Sequence, residues 1–415
     1  MGIEEKVMEK IKVPFGTIEI TPKAKRLIRE ILKTKNVSQG KYVRQFEKRF
    51  AELVGVKEAV AVSSGADADT IALAVLYDCG AERGDEIIVP ALSFVATANA
   101  VVHAGFNPVF VDIKRDTYNI NPELIEDKIT RKTRAIMPVH LMGKPAEMDA
   151  ILDIAKWHNL YVIEDAAEAH GAKYKGRNAG SMGDMGAFST YIAHIITTGE
   201  GGIITTNNEH FAEAARSLRA HGREGCLCKK CQNIPGEKCH KRFSEEGEDR
   251  RFYFDRIGYS SKMNEFEAAV GVGALEGYDK ILSKRRKNLA YLMNNFRRFE
   301  PFLHTFYEES HETIGPHAFP ILLGEKAPFS RDEYSRFLND NCADTRDTFA
   351  SIPTQYKSFI NFKGNGYQNK KLGDFPNAEY VGDNGLHIGV HQGLHKKELD
   401  HFLSVTERFM KEKGL

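Results

Sequence analysis

His194, in the stretch GAFSTYIAHIITTGEGG (residues 186–202), can take up and release a proton near neutral pH. An apolar run leads into it, and the turn TTGEGG that follows sets Gly199, Gly201 and Gly202 close together. Glycines there let the backbone take positive φ and approach a ligand closely, so the segment predicts strand, tight turn and strand at the floor of a pocket. Asp165 closes a second apolar run, LYVIED, with Glu168 three residues on. A carboxylate at the carboxyl end of a strand either caps the next helix or meets a ligand. In SSGADAD (residues 63–69) the turn at Gly65, Ala66 and Asp67 leads from a strand into a helix. Such a turn serves as an ordinary helix cap or, through its exposed amides at the positive helix end, as an anion site.

Cysteine supplies another chemistry. Of six cysteines, Cys79 and Cys342 stand apart, while Cys226, Cys228, Cys231 and Cys239 lie together as Cys-x-Cys-x2-Cys-x7-Cys. In a reducing compartment such a cluster points to a metal rather than to disulfides. Zinc and iron–sulfur clusters both accept four thiolates, and the spacing does not separate them.

The elements that must position these groups follow one grammar. EAVAVSSGADADTIALAVLYD reads strand, polar turn, helix, and EIIVPALSFVATANAVVHAG repeats it. PVFVDI, RAIMPVHLMG, LYVIEDAAEAHG and the His194 segment continue the series. Apolar strands alternating with helical patterns predict an α/β fold with a mostly parallel sheet covered on both faces, where ligands sit beyond the strand carboxyl ends. We expect an N-terminal arm over 1–22, a large domain over 23–285 and a smaller α+β domain over 286–415. Within the large domain, the charged stretch 222–256 breaks the pattern and holds the four clustered cysteines. MNEFEAAVGVGALEGYDKILSKRRKNLAYLMNNF predicts one long helix or two joined ones.

With the motifs in place, AFSTYIAHIITTGEGGIITT resembles the active-site segment of the DegT-type sugar aminotransferases, fold-type-I pyridoxal phosphate enzymes. In that family the position of His194 holds the lysine that bonds the cofactor. The resemblance implies that a histidine there marks the branch removing the C3 hydroxyl of a nucleotide-linked 4-keto-6-deoxyhexose, with pyridoxamine 5′-phosphate or pyridoxal 5′-phosphate bound without that lysine and His194 as base. AVSSGADADTIAL resembles the family's phosphate-binding turn, which gives cofactor-binding roles to Gly65, Ala66 (where a hydroxyl residue is usual) and Asp67. Ser189 corresponds to a second phosphate ligand. Phe94, in PALSFVATANA, is either a core aromatic or, by resemblance, the ring stacked on the cofactor pyridine. Asp165 would pair with the pyridinium nitrogen and keep the ring protonated. Glu168 stands where glutamine is usual, against the ring's hydroxyl side, and adds a charge.

GYSSKMNEF (258–266) resembles a stretch that reaches the neighbouring subunit's cofactor phosphate, with Ser260 in place of the usual asparagine, and so implies a homodimer with shared active sites. GREGCLCKKCQNIPGEKCHKRF resembles the loop of the family's 3-dehydrases that carry a [2Fe–2S] centre. Cys226, Cys228 and Cys239 match ligands there. The remaining family ligand lies upstream, where this chain has no cysteine, so Cys231 becomes the fourth candidate. The expectation is a [2Fe–2S] cluster relaying electrons from a reductase, with structural zinc as the alternative. Without a redox step, glutamate would regenerate the amine cofactor. A cofactor- or sugar-nucleotide-binding homologue without catalysis is a further alternative.

Bulk composition narrows the classes. The 415 residues carry 58 Lys+Arg against 57 Asp+Glu, a formal charge of +1 that gives no electrostatic footprint for nucleic acid or an anionic membrane. No stretch approaches the roughly 20 apolar residues that span a bilayer. The expected location is cytoplasmic.

Overall fold

The computed structural model describes residues 11–224, 247, 249, 252–363 and 367–415. Nine strands build the first part of the chain: β1 (Glu58–Val62), β2 (Glu86–Pro90), β3 (Asn107–Val111), β4 (Thr133–Ile136), β5 (Tyr161–Asp165), β6 (Lys173–Tyr174), β7 (Arg177–Asn178), β8 (Met185–Ser189) and β9 (Gly202–Thr206). Seven of them form one sheet in the order β1-β9-β8-β5-β4-β2-β3. Only β9 runs against its neighbours in this sheet; the β8-β5, β5-β4, β4-β2 and β2-β3 pairs are parallel. The mostly parallel α/β sheet expected from the sequence is therefore present.

Strand residues alternate between two apolar layers, as the period of two requires. Val60 and Val62 pack with Ile71 and Leu73 on one face, while Ala59 and Ala61 pack with Phe46, Phe50 and Val272 on the other. The helices of this part are α1 (Pro22–Thr34), α2 (Lys41–Val54), α3 (Gly65–Ala74), α4 (Ala96–Ala104), α5 (Met148–His158), α6 (Glu209–Leu218) and α7 (Glu265–Phe296), of which α2, α3 and α7 supply those partners. Thr21 caps α1 and is followed by Pro22 at the first helical position, where a missing N–H costs nothing. Asn264 and Glu267 close a capping box on α7. The predicted long helix is a single one of 32 residues.

Beyond α7, β10 (Leu303–His304), β11 (Glu312–Thr313), β12 (Ala318–Leu323), β13 (Thr345–Asp347) and β14 (Gly385–Gly389) follow. An antiparallel sheet β10-β12-β14-β13 lies against helices that include α8 (Arg331–Asp340) and the stretch Lys396–Glu412. β11 instead pairs with β6, and so ties this part to the first. α7 packs on α1 and α2 at one end and presents Phe296 to Phe319 and Phe402 at the other. No helix of the described residues is long and apolar enough to cross a membrane.

Candidate active site

β1, β2, β5 and β8 share one direction, so their carboxyl ends line one rim of the sheet. Gly65, Phe94, Asp165 and Ser189 all follow or close those strands. At Gly65 the chain turns into α3, with the Ser64 hydroxyl accepting from the Asp67 amide at 3.0 Å. A Cβ on Gly65 would stand 2.6 Å from Ser189 Cβ, which shows how closely the two strand ends meet. Gly202 approaches the same turn: a Cβ there would lie 2.1 Å from the Ser64 carbonyl oxygen. The Asp67 carboxylate is already taken by the hydroxyls of Ser63 (2.5 Å) and Ser64 (3.0 Å). Ala66 brings no hydroxyl, so backbone amides and the buried Ser189 are what the turn offers an anion.

Asp165 is buried at the end of β5 and accepts from the Thr97 hydroxyl at 2.7 Å and the Ala167 amide at 3.1 Å. Burial raises its pKa against the pull of those two donors. Asp69, one turn along α3 from Gly65, is a second buried carboxylate. Its Oδ1 has no partner, and burial followed by repulsion from Asp165 pushes its pKa well up. Phe94 is 56% exposed, with one ring contact, 5.5 Å to Phe349, and so keeps apolar surface uncovered.

His194 sits in a turn whose amide donates to the Tyr191 carbonyl at 3.0 Å. Its ring is half-buried and Nδ1 has no hydrogen-bond partner. Burial, and after it repulsion from His317 and Arg285, holds its pKa well below the ordinary histidine range, so the imidazole is neutral and able to accept a proton. The His317 ring lies 5.3 Å away, centroid to centroid, and the His170 ring 6.2 Å away. His317 Nε2 stands 3.3 Å from Glu168 Oε1, while Glu168 Oε2 accepts from the Met142 amide at 2.7 Å. Burial lifts the Glu168 carboxyl to about 7 and, with help from Arg285, drops His317 to about 3.

The structure thus brings Ser189, at the end of β8, against the turn of Gly65, Ala66 and Asp67, sets Asp165 at the end of β5 and Phe94 in the loop after β2, and places Glu168 near His317, whose ring is next to that of His194. Cys226, Cys228, Cys231 and Cys239 lie outside the described residues. Sequence reasoning missed Thr97, Asp69 and His317. A polar residue opening the apolar run HAFPILL was the one signal His317 gave. A cavity of about 550 Å³ between Arg115, Tyr118, Glu300, Tyr307 and Tyr380 contains none of the candidate residues.

Comparison with known proteins identifies the family. The model of the DegT/DnrJ/EryC1/StrS aminotransferase family matches residues 19–406. GDP-perosamine synthase of Caulobacter vibrioides is 34% identical over 377 residues, covering 90% of this chain and 91% of that protein. GDP-4-keto-6-deoxy-D-mannose 3-dehydratase of Yersinia pseudotuberculosis is 32% identical over 390 residues, covering 93% and 96%. The solved GDP-4-keto-6-deoxy-D-mannose-3-dehydratase of E. coli with bound hydrated PLP superposes with a TM-score of 0.84 at 30% identity, covering 96% of this chain and 100% of that one.

Proposed function

Because the chain belongs to the DegT/DnrJ/EryC1/StrS aminotransferase family, we propose that it removes the C3 hydroxyl of a nucleotide-linked 4-keto-6-deoxyhexose with pyridoxamine phosphate or pyridoxal phosphate. The observation that carries this is the neutral imidazole of His194, with its unpartnered Nδ1, in a segment where an aminotransferase needs a lysine amine. Perosamine synthase, an equally similar relative, favours amino transfer as the second reading. An imidazole cannot perform the covalent step of that reaction.

The residues present fit the cofactor. Amides at the Gly65 turn and the Ser189 hydroxyl would hold its phosphate, Asp165 would face its ring nitrogen, and the uncovered Phe94 ring would stack on it. When bound, the protonated ring supplies a sink for the electron pair of a breaking carbon–hydrogen bond. Asp165 keeps its charge aimed at that ring through the Thr97 hydroxyl and the Ala167 amide. His194 takes the proton from carbon and returns one to the departing hydroxyl.

We further propose a [2Fe–2S] centre on Cys226, Cys228, Cys231 and Cys239, fed by a reductase, with zinc as the alternative occupant. Spacing and resemblance support this reading. A homodimer is proposed as well, since Tyr191 and Ile192 leave apolar surface open beside the site.

The test uses anaerobically purified protein, pyridoxamine phosphate and GDP-4-keto-6-deoxymannose. We expect a 3-deoxy product from the wild type, and amino-sugar formation at the expense of dehydration from His194→Lys. Unchanged dehydration by His194→Lys would sink the base assignment. Iron, sulfide and zinc measured against protein decide the metal: about two irons and two sulfides per chain for the cluster, about one zinc for a structural loop.

A further inference from the structure

His317 has no role in the reaction as set out above, yet it is the ring beside the proposed base. It arrives on the segment just before β12, and its place is fixed from behind: Arg285, buried in α7, donates to the main-chain carbonyls of Pro316 and His317 at 3.3 and 3.4 Å. Its side chain bridges two groups. On one side Nε2 stands 3.3 Å from Glu168 Oε1; on the other the ring centroid lies 5.3 Å from that of His194, with the two planes tilted by 36°. Nδ1 of both rings is buried without a partner. Glu168 is left one oxygen for His317, because the Met142 amide holds the other.

We propose that Glu168 and His317 form a proton-holding pair for His194, storing the proton drawn from carbon until the C3 hydroxyl departs; the inference rests on His194 being the base. At the outset Glu168 is a carboxylate and His317 a neutral imidazole with its proton on Nε2, the nitrogen 3.3 Å from Oε1. That tautomer leaves the Nδ1 lone pair free. Once His194 carries the substrate proton it donates to His317 Nδ1, and His317 passes its Nε2 proton to Glu168. His194 is then neutral again and Glu168 is a carboxylic acid. Reversal of both transfers returns the proton to His194 and on to the hydroxyl, which leaves as water. One carbon–hydrogen and one carbon–oxygen bond break; the first electron pair stays in the conjugated system and the second leaves with oxygen.

The carboxyl, lifted to about 7 by burial, accepts and releases a proton near neutral pH at small cost. The other titratable or charged groups around the pair are His170, Asp165, Arg285 and His387. Burial keeps His170 and His387 neutral, and Arg285 opposes any extra positive charge on the rings.

The deciding measurement is a pH titration of the full chain, labelled with ¹⁵N-histidine, before and after Glu168→Gln. We expect His317 in the Nε2–H tautomer, with its signals shifting at a midpoint near 7 that vanishes in the variant. With pyridoxamine phosphate and GDP-4-keto-6-deoxymannose, kcat of Glu168→Gln should fall roughly 100-fold and lose its pH limb near 7, with KM unchanged. His317 protonated on Nδ1 in the wild type, or a midpoint near 7 that survives in Glu168→Gln, overturns the pair. Failure of the wild type to dehydrate that substrate would instead defeat the base assignment beneath it.

Discussion

Glu168 carries a cost that its glutamine counterpart would not. Burial raises its carboxyl from an ordinary 4.5 to about 7, so the folded chain binds a proton more tightly than the unfolded one between those values. The stabilisation this gives is complete below the lower value and is lost as pH rises through the upper one. Glu168→Gln should therefore stabilise the fold at pH 8, by an upper bound of about 3 kcal/mol, with the gain shrinking below neutrality. Urea denaturation at pH 8 and pH 5.5 checks it; an equal effect at both would contradict the burial account. Of the site residues, those legible in the sequence were the ones whose local pattern says something: a glycine turn, a carboxylate ending a strand, a histidine in an apolar run. His317 was not legible, because its meaning comes from the Glu168 and His194 side chains, which are far from it in sequence and adjacent only after folding.

The loop between β1 and α3 shows how an element limits its own side chains. Gly65 packs on Ser189, so Gly65→Ala places a methyl 2.6 Å from Ser189 Cβ and 3.0 Å from its Oγ. We expect pyridoxamine phosphate affinity to drop about tenfold or more, with about 1–3 kcal/mol of stability lost to overpacking. Fluorescence titration and a denaturant curve separate the two effects, and unchanged affinity would refute the placement of the phosphate. Strand–helix alternation was readable because period two and period 3.6 leave distinct marks. The β6-β7-β11 sheet was not, since its paired runs are too short to show a period and one lies far along the chain. In α7 two glycines serve close packing: a Cβ on Gly271 would meet the Phe46 ring at 2.7 Å, and one on Gly273 the Thr21 hydroxyl at 2.5 Å.

For the molecule as a whole, the buried neutral histidines set the acid limit. His170, His194, His317 and His387 are all pushed down by burial, the last two to about 3. As pH falls below the ordinary 6.5, the unfolded chain takes up protons that these rings refuse, and stability declines by about 1.4 kcal/mol per pH unit for each. The buried carboxyls of Glu168, Asp69 and Asp165, raised by burial, work in the opposite sense and soften that decline. Thermal melts at pH 7.5, 6 and 5 should show a steep fall in Tm; a flat profile would mean that the rings are charged in the native state. α7 has a consequence for how such a chain can vary. Gly271 and Gly273 fit α2 and α1 in its first half, and Arg285 holds the His317 segment in its second. A single-residue insertion between them would rotate everything downstream by about 100° and swing the guanidinium off those carbonyls. The helix therefore has a phase to keep, and a change of length is tolerated better outside it than within it.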